Sequence, residues 1–419
     1  MCIRTHDRVP AETMTSGAPP SDEGKIDSAA SLPLHRLAAV LRQTELAISG
    51  FNIIAEGAFD PLGCRLRRLS LTNSTFPSLP PQRFRCLSCL QALDLGKGQL
   101  VTLEDGTFEG LEELRLLSLS QNRLRNLSVG VLRPLVKLEQ LLLGGKTGTV
   151  SKRAVRGNYL TSLPDVSHNL HLQVLDVSEN QVTALQGGLF AQLRHLRVLD
   201  LAHNKLGSIS ANSFEALASL QSLKLTDNQL ATLPEGVFQG LSSLTSLDLE
   251  LNQLVTLSDN PLATLPEGVF QGLSSLTSLD LYYIQLVSLP EGVFQGLSSL
   301  TSLDLSRNQL ATLPEGVFQG LSSLTSLDLV GNELGLSSLT SLRLLHNELV
   351  TLPEGVFQGL SSLTRLNLYR NQLATLPEGV FQGLRSLQML VLGNNRLSRS
   401  VRLCVEAFLS CENCSCEAS

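Results

Sequence analysis

The chain has 419 residues, 42% of them hydrophobic but only 4% aromatic, with no Trp and a formal net charge of −6. That balance gives no reason to expect a nucleic-acid partner, and no apolar run reaches the ~18 residues that direct membrane insertion by a spanning helix requires. Residues 1–30 lack the apolar core of a secretory signal, which predicts a chain that stays in the cytosol. Charge is uneven: residues 1–160 carry 20 basic and 15 acidic side chains (+5), leaving 12 basic and 23 acidic (−11) for the remainder.

Residues 1–31, rich in Pro, Ser, Gly and charge without periodicity, read as a disordered leader. Over 32–50 the apolar residues Leu34, Leu37, Ala38 and Leu41 recur at helical spacing and predict a helix capping the N-terminal end of the folded core. From 46 to 397 the chain repeats itself. The segment Leu233-Pro-Glu-Gly-Val-Phe-Gln-Gly-Leu241 returns unchanged at Leu265, Leu289, Leu313, Leu352 and Leu376, each time followed by L-x-x-L-x-L. Self-similarity at 24 residues predicts an α/β-type repeat solenoid, a leucine-rich-repeat horseshoe with a parallel concave β-sheet and a convex side of loops and 3-10 turns.

The coil beginning at Leu300 shows the logic. Leu303 and Leu305 alternate with polar neighbours, the period of a short strand with one buried face. Asn308 turns the chain, its amide able both to donate and to accept where the bend leaves backbone groups unpaired. Leu310 and Leu313 re-enter the core, Pro314 and Gly316 break regular structure, and Phe318 and Leu321 fill the opposite side. Phe occupies that column at 59, 84, 108, 190, 214, 238, 270, 294, 318, 357 and 381, predicting a spine of rings.

A degenerate coil runs from Leu46 through Phe59, and regular coils start at Leu66, Leu90, Leu114, Leu138, Leu172, Leu196, Leu220, Leu244, Leu276, Leu300, Leu324, Leu339, Leu363 and Leu387. Three intervals break the period. Between Leu138 and Leu172 an insertion around 144–156 carries Lys146, Lys152, Arg153 and Arg156 and is expected to leave the stack as a loop able to steer an acidic ligand. The interval from Leu244 to Leu276 is 32 residues, and that from Leu324 to Leu339 only 15, too few to close a coil, so a local distortion and a gap in the Phe spine are expected there. The Asn column fails at Ser74, Gly98 and Ile284, and Ile284 is expected to loosen its turn. Residues 398–419 read as a C-terminal cap, with Val401, Val405, Phe408 and Leu409 at helical spacing, followed by a Cys-rich tail of Cys411, Cys414 and Cys416.

Where otherwise identical coils differ is the functional signal. The two positions before the Asn column read Glu250-Leu251, Tyr282-Tyr283, Ser306-Arg307, Val330-Gly331, Leu345-His346 and Tyr369-Arg370, beside nine-residue segments that never change. Tyr and Arg are the residue types that dominate binding energy at protein interfaces. The candidate ligand-binding surface is therefore Glu250, Tyr282, Tyr283, Arg307, His346, Tyr369 and Arg370, with Asp248, Asp280, Asp304 and Arg343 in the neighbouring column. By strand alternation the first residue of each pair is expected to face outward and the second to flank it at the strand exit.

Catalytic readings find little. Gly144-Gly-Lys-Thr147 ends like a phosphate-binding loop, but Gln140 stands where that motif needs Gly. His168 and His171 have no carboxylate or Cys partner in sequence, so no metal is expected, and no cofactor either. Cys64 and Cys89 sit at nearly equivalent places in consecutive coils, close enough to pair in an oxidising compartment and free thiols in a reducing one. Asn73, Asn126 and Asn413 head N-x-S/T sequons.

The pattern L-x-x-L-x-L-x-x-N-x-L-x-x-L-P-x-G-x-F-x-x-L over about residues 46–397 resembles the repeats of Toll-like receptor ectodomains and, most closely in L-P-E-G-V-F, of variable lymphocyte receptors. The resemblance implies a receptor-like, immune-like recognition module in signal transduction. Its concave columns would bind a protein or glycan ligand, and its signalling or anchoring part would be a separate subunit. Those families carry a signal peptide and cysteine-framed caps, from which this chain departs at both ends. An intracellular scaffold or regulator of another protein is the competing expectation.

Overall fold

The computed structural model describes residues 25–27, 44–50, 52–54, 56–145, 157–185, 187–252 and 265–310. Beyond these it describes 313–314, 317–318, 320–329, 332, 340–344, 349, 352, 357, 363–377 and 379–398. Two compact units divide the chain, Met1–Leu175 and Asp176–Ser419.

Each of the fourteen regular starts read from the sequence carries a strand two residues on, from Arg68–Thr72 after Leu66 to Met389–Val391 after Leu387. Most are only three residues long, as in Ser246–Asp248, because a single Leu per strand points inward. The strands pair in parallel and in register: in the second unit Leu247, Leu279, Leu303 and Leu327 are successive partners, each about 1% exposed. A strand this short cannot bury its apolar face alone, so each coil depends on its neighbours for a core.

The Asn column welds the coils together. Buried Asn228 donates through Nδ2 to the carbonyls of Leu225, in its own coil, at 2.9 Å and of Leu201, in the coil before, at 3.0 Å. Its Oδ1 accepts from the Leu206 amide at 3.0 Å. Asn204, Asn252, Asn308 and Asn371 repeat the arrangement. In the first unit Asn158 makes it across the insertion, donating to Leu119 at 3.0 Å and Leu143 at 2.7 Å. Gly98 leaves the column open for a neighbour: a Cβ there would sit 2.7 Å from Oδ1 of Asn122, whose Nδ2 donates to the Leu95 carbonyl at 2.9 Å.

The turn at Ile284 is not loosened as expected. Ile284 is fully buried, and its amide donates to Oδ1 of Asn308 at 3.1 Å, the same oxygen that accepts from Leu286 at 3.1 Å. The compensating group lies one coil further on, where no reading confined to the turn itself would look.

Opposite the strands, all eleven Phe of the column are buried. In the second unit the rings of Phe190, Phe214, Phe238, Phe270, Phe294 and Phe318 stack at 6.2–6.3 Å with interplanar angles of 10° or less. Phe357 and Phe381 stack likewise at 6.1 Å. This side is built of turns, and among the described residues the 3-10 helix Gly63–Arg65 is the one helical element. No described helix is long and apolar enough to cross a membrane.

The short interval after Leu324 coincides with a break. Ser326–Asp328 ends the long sheet, and Ser341–Arg343 begins a separate one with Arg365–Asn367 and Met389–Val391. The cap helix expected over 32–50 gives way at its end to the strand Glu45–Ser49, because Leu46 and Ile48 alternate into the core and pair with Leu69 and Leu71. Lys25–Asp27 pairs in parallel with that strand. Cys64 and Cys89 form a disulfide between adjacent coils, their Cα atoms 4.7 Å apart. The basic insertion residues 146–156, the rest of the cap helix over 32–43 and the tail 401–419 lie outside the described residues.

Candidate functional site

Strand geometry sets the outward columns. In the strands Ser246–Asp248, Ser278–Asp280 and Ser302–Asp304 the residues flanking the buried Leu are half-buried, and Asp248, Asp280 and Asp304 are register partners on these consecutive strands. Each holds the turn that follows: Oδ1 of Asp248 accepts from the Glu250 amide at 3.1 Å, Asp280 from Tyr282 at 2.9 Å and Asp304 from Ser306 at 2.8 Å. Asn367 does the same for Tyr369 at 3.0 Å. This capping role was missed in the sequence, although Asp94, Asp176 and Asp200 repeat it and a short acceptor two residues before the turn is its signature.

The residue just before the Asn column adopts a left-handed backbone. Lys97, Gln121, Glu179, His203, Asp227, Leu251, Tyr283, Arg307 and Arg370 have φ between 50° and 58°. Each such amide can then reach the next coil, as Leu251 donates to the Tyr282 carbonyl at 3.0 Å and Asp227 to that of Glu250 at 2.9 Å. A β-branched residue would be strained here, and none of these nine positions holds one. The column therefore varies, but within a steric rule. Its side chains splay outward: Tyr283 is 49% exposed, and Arg307 and Arg370 are exposed. The first residue of each pair, expected to face outward, is half-buried at Glu250, Tyr282 and Tyr369 and buried at Ser306.

Seven of the candidates come together. The Tyr282 and Tyr283 rings lie 6.1 Å apart, and the Arg307 guanidinium stands 5.9 Å over Tyr282. Beside them the carboxylates of Asp248, Glu250 and Asp280 have oxygens within 4.8 Å of one another, the one group among the described residues spaced to hold a cation. Asp304 lies on the next strand. Burial pushes the Asp280 carboxyl up to about 6, with Asp248 and Asp304 adding to the rise and the Tyr282 amide opposing it. Burial also raises Glu250, reinforced by Asp280, Asp248 and Asp304. The Lys224–Asp200 ion pair at 3.1 Å and the His203–Asp227 hydrogen bond at 2.9 Å lie elsewhere in this unit. Among the described residues no cation pairs with Asp248, Glu250, Asp280 or Asp304.

A second group sits on the separate three-stranded sheet. The Arg370 guanidinium stands 5.6 Å over the Tyr369 ring, whose hydroxyl accepts from Asn394 at 3.0 Å. Arg343 lies in the strand Ser341–Arg343, its side chain undescribed, and His346 is outside the described residues. Of the catalytic readings, Lys146 is likewise outside them, and His168 is engaged by the Ser167 hydroxyl at 3.0 Å.

Comparison with known proteins matches this geometry to a large group. The leucine-rich-repeat family model matches residues 90–146, 154–206, 170–230, 194–254, 219–283, 283–334 and 337–397. No curated protein sequence matches the chain. Among solved structures, it is similar to a leucine-rich-repeat protein of Leptospira interrogans, with 30% identity over 91% of each chain and a TM-score of 0.60. It is also similar to TLR13 in complex with ssRNA13, at 27% identity and TM-score 0.63, covering 90% of this chain and 54% of that one. A third is the plant peptide hormone receptor RGFR1 in complex with RGF2, at 25% identity and TM-score 0.55, covering 88% of this chain and 57% of that one.

Proposed function

Since the chain belongs to the leucine-rich-repeat family, we propose that it is a non-catalytic recognition module that binds a protein ligand on the outward columns of its strands. The supporting observation is the meeting of Tyr282, Tyr283 and Arg307 on adjacent coils whose remaining residues are nearly copies of one another. Two half-exposed aromatic rings beside a guanidinium are what protein interfaces use as anchors, because they bury large area at low entropic cost. A role like that of the RNA-bound neighbour fits poorly, since phosphates would meet Asp248, Asp280 and Asp304 in register. A receptor-like role with a separate signalling subunit follows the peptide-hormone receptor instead. The Cys64–Cys89 pair supports it over a cytosolic scaffold, because disulfides persist in oxidising compartments.

The test is the double change Tyr282→Ala, Tyr283→Ala, measured against a partner isolated on the wild-type chain. A loss on the order of 2 kcal/mol, about thirtyfold in Kd, is expected. Unaltered affinity in a folded variant contradicts the reading.

A further inference from the structure

The outward face of the strands Ser246–Asp248, Ser278–Asp280 and Ser302–Asp304 is covered by no described element. We propose that this face takes a cationic segment of a protein partner, its Lys or Arg side chains entering between the Asp248, Glu250, Asp280 and Asp304 carboxylates and the Tyr282 ring. The inference rests on the recognition reading above and adds the chemistry of the ligand.

Three observations select this occupant. First, the backbone amides at the strand exits take Oδ1 of each Asp, while Asp248, Glu250 and Asp280 hold carboxylate oxygens within 4.8 Å of one another and among the described residues no cation pairs with them. Acceptors without donors, half-buried and in register, repel one another until a cation enters. Second, Tyr282 already receives one guanidinium, that of Arg307 at 5.9 Å, so the ring is placed for cation contact next to the acids that would complete the salt link. Third, charge complementarity excludes the obvious alternative. Residues 176–419 carry 12 basic and 22 acidic side chains, so a second copy of this unit would bring −10 against −10. An uncharged glycan would leave the carboxylates unpaired, and an anionic one would be repelled.

The experiment uses the full chain and a fluorescent nona-arginine peptide, with a nona-glutamate peptide for comparison, read by anisotropy at low salt. The informative variant is Asp248→Asn, Asp280→Asn, Asp304→Asn. Asn keeps the oxygen that caps the turn, as Asn367 does in the native chain, so the fold is retained and a thermal melt verifies it. A matched variant, Glu235→Gln, Glu267→Gln, Glu291→Gln, removes the same charge from exposed positions in the Pro-Glu-Gly turns. The expected result is nona-arginine binding that weakens at least tenfold in the Asn variant, changes less than about twofold in the Gln variant and fades with salt. Equal weakening in both variants overturns the proposal, because net charge and not this face would then hold the peptide. So does binding of nona-glutamate, or no binding of nona-arginine. If nona-arginine fails while the Tyr282, Tyr283 pair still governs affinity for the isolated partner, recognition stands and only the cationic partner is lost; if both fail, both are lost.

Discussion

Asn308 carries more than its own turn. Besides donating to Leu281 at 2.8 Å and Leu305 at 2.9 Å, it accepts from both Ile284 and Leu286, because Ile284 stands where a coil normally supplies its own amide. Stranding a buried backbone group costs roughly 1–3 kcal/mol. Asn308→Ala is therefore expected to lower unfolding free energy by about 3 kcal/mol or more, and by more than Asn228→Ala does; equal losses in urea melts contradict the double role. Asp280 shows the opposite balance. Burial and its like-charged neighbours hold its carboxyl at about 6, above the value near 4 expected of the unfolded chain. The folded state then binds the extra proton, so this group's contribution favours folding at low pH and is lost as pH rises through about 4 to 6. Asp280→Asn keeps the cap on Tyr282 and removes the charge: its Tm should exceed wild type near pH 7.5, with the advantage vanishing near pH 4. A lower Tm at both pH values shows that the charge is not the cost.

The coil was the element most legible in the sequence. L-x-x-L-x-L places a buried Leu at fixed offset, and every regular start from Leu66 to Leu387 is followed by its strand. What the letters concealed is contact between coils. The rescue of Ile284 comes from a residue 24 positions away, and the Asp caps serve a bond two residues on whose donor is a backbone amide without a letter of its own. At the N-terminal end Leu46 and Ile48 suit either a helix or a strand, and pairing with Arg68–Thr72 decided for the strand. The Tyr and Arg columns were legible as variation among copies, whereas the left-handed backbone that aims Tyr283 and Arg307 outward was not. Because neighbouring coils end in the same sequence, residues 276–299 can be removed so that Ser275 joins Leu300 without changing a junction. In a nearest-neighbour stack this deletion should leave a folded, less stable array that has lost the partner with Tyr282 and Tyr283. Collapse to an unfolded chain, seen by circular dichroism, contradicts the additivity of the coils.

Across the whole molecule, charge divides by unit. Residues 1–175 carry 20 basic and 16 acidic side chains (+4), and the remainder −10. Tyr282, Tyr283, Tyr369 and the carboxylates of Asp248, Glu250, Asp280 and Asp304 belong to Asp176–Ser419, while the Cys64–Cys89 disulfide and the exposed sequon residues Asn73 and Asn126 belong to Met1–Leu175. On the proposal above, a protein partner meets the outward side of the strands and not the turns opposite. A photo-crosslinking residue placed at position 283, and in a second preparation at the exposed position 235, tests it directly. A discrete protein adduct from position 283 and none from 235 is the expected result; adducts of equal yield from both, or from 235 alone, would place the partner elsewhere.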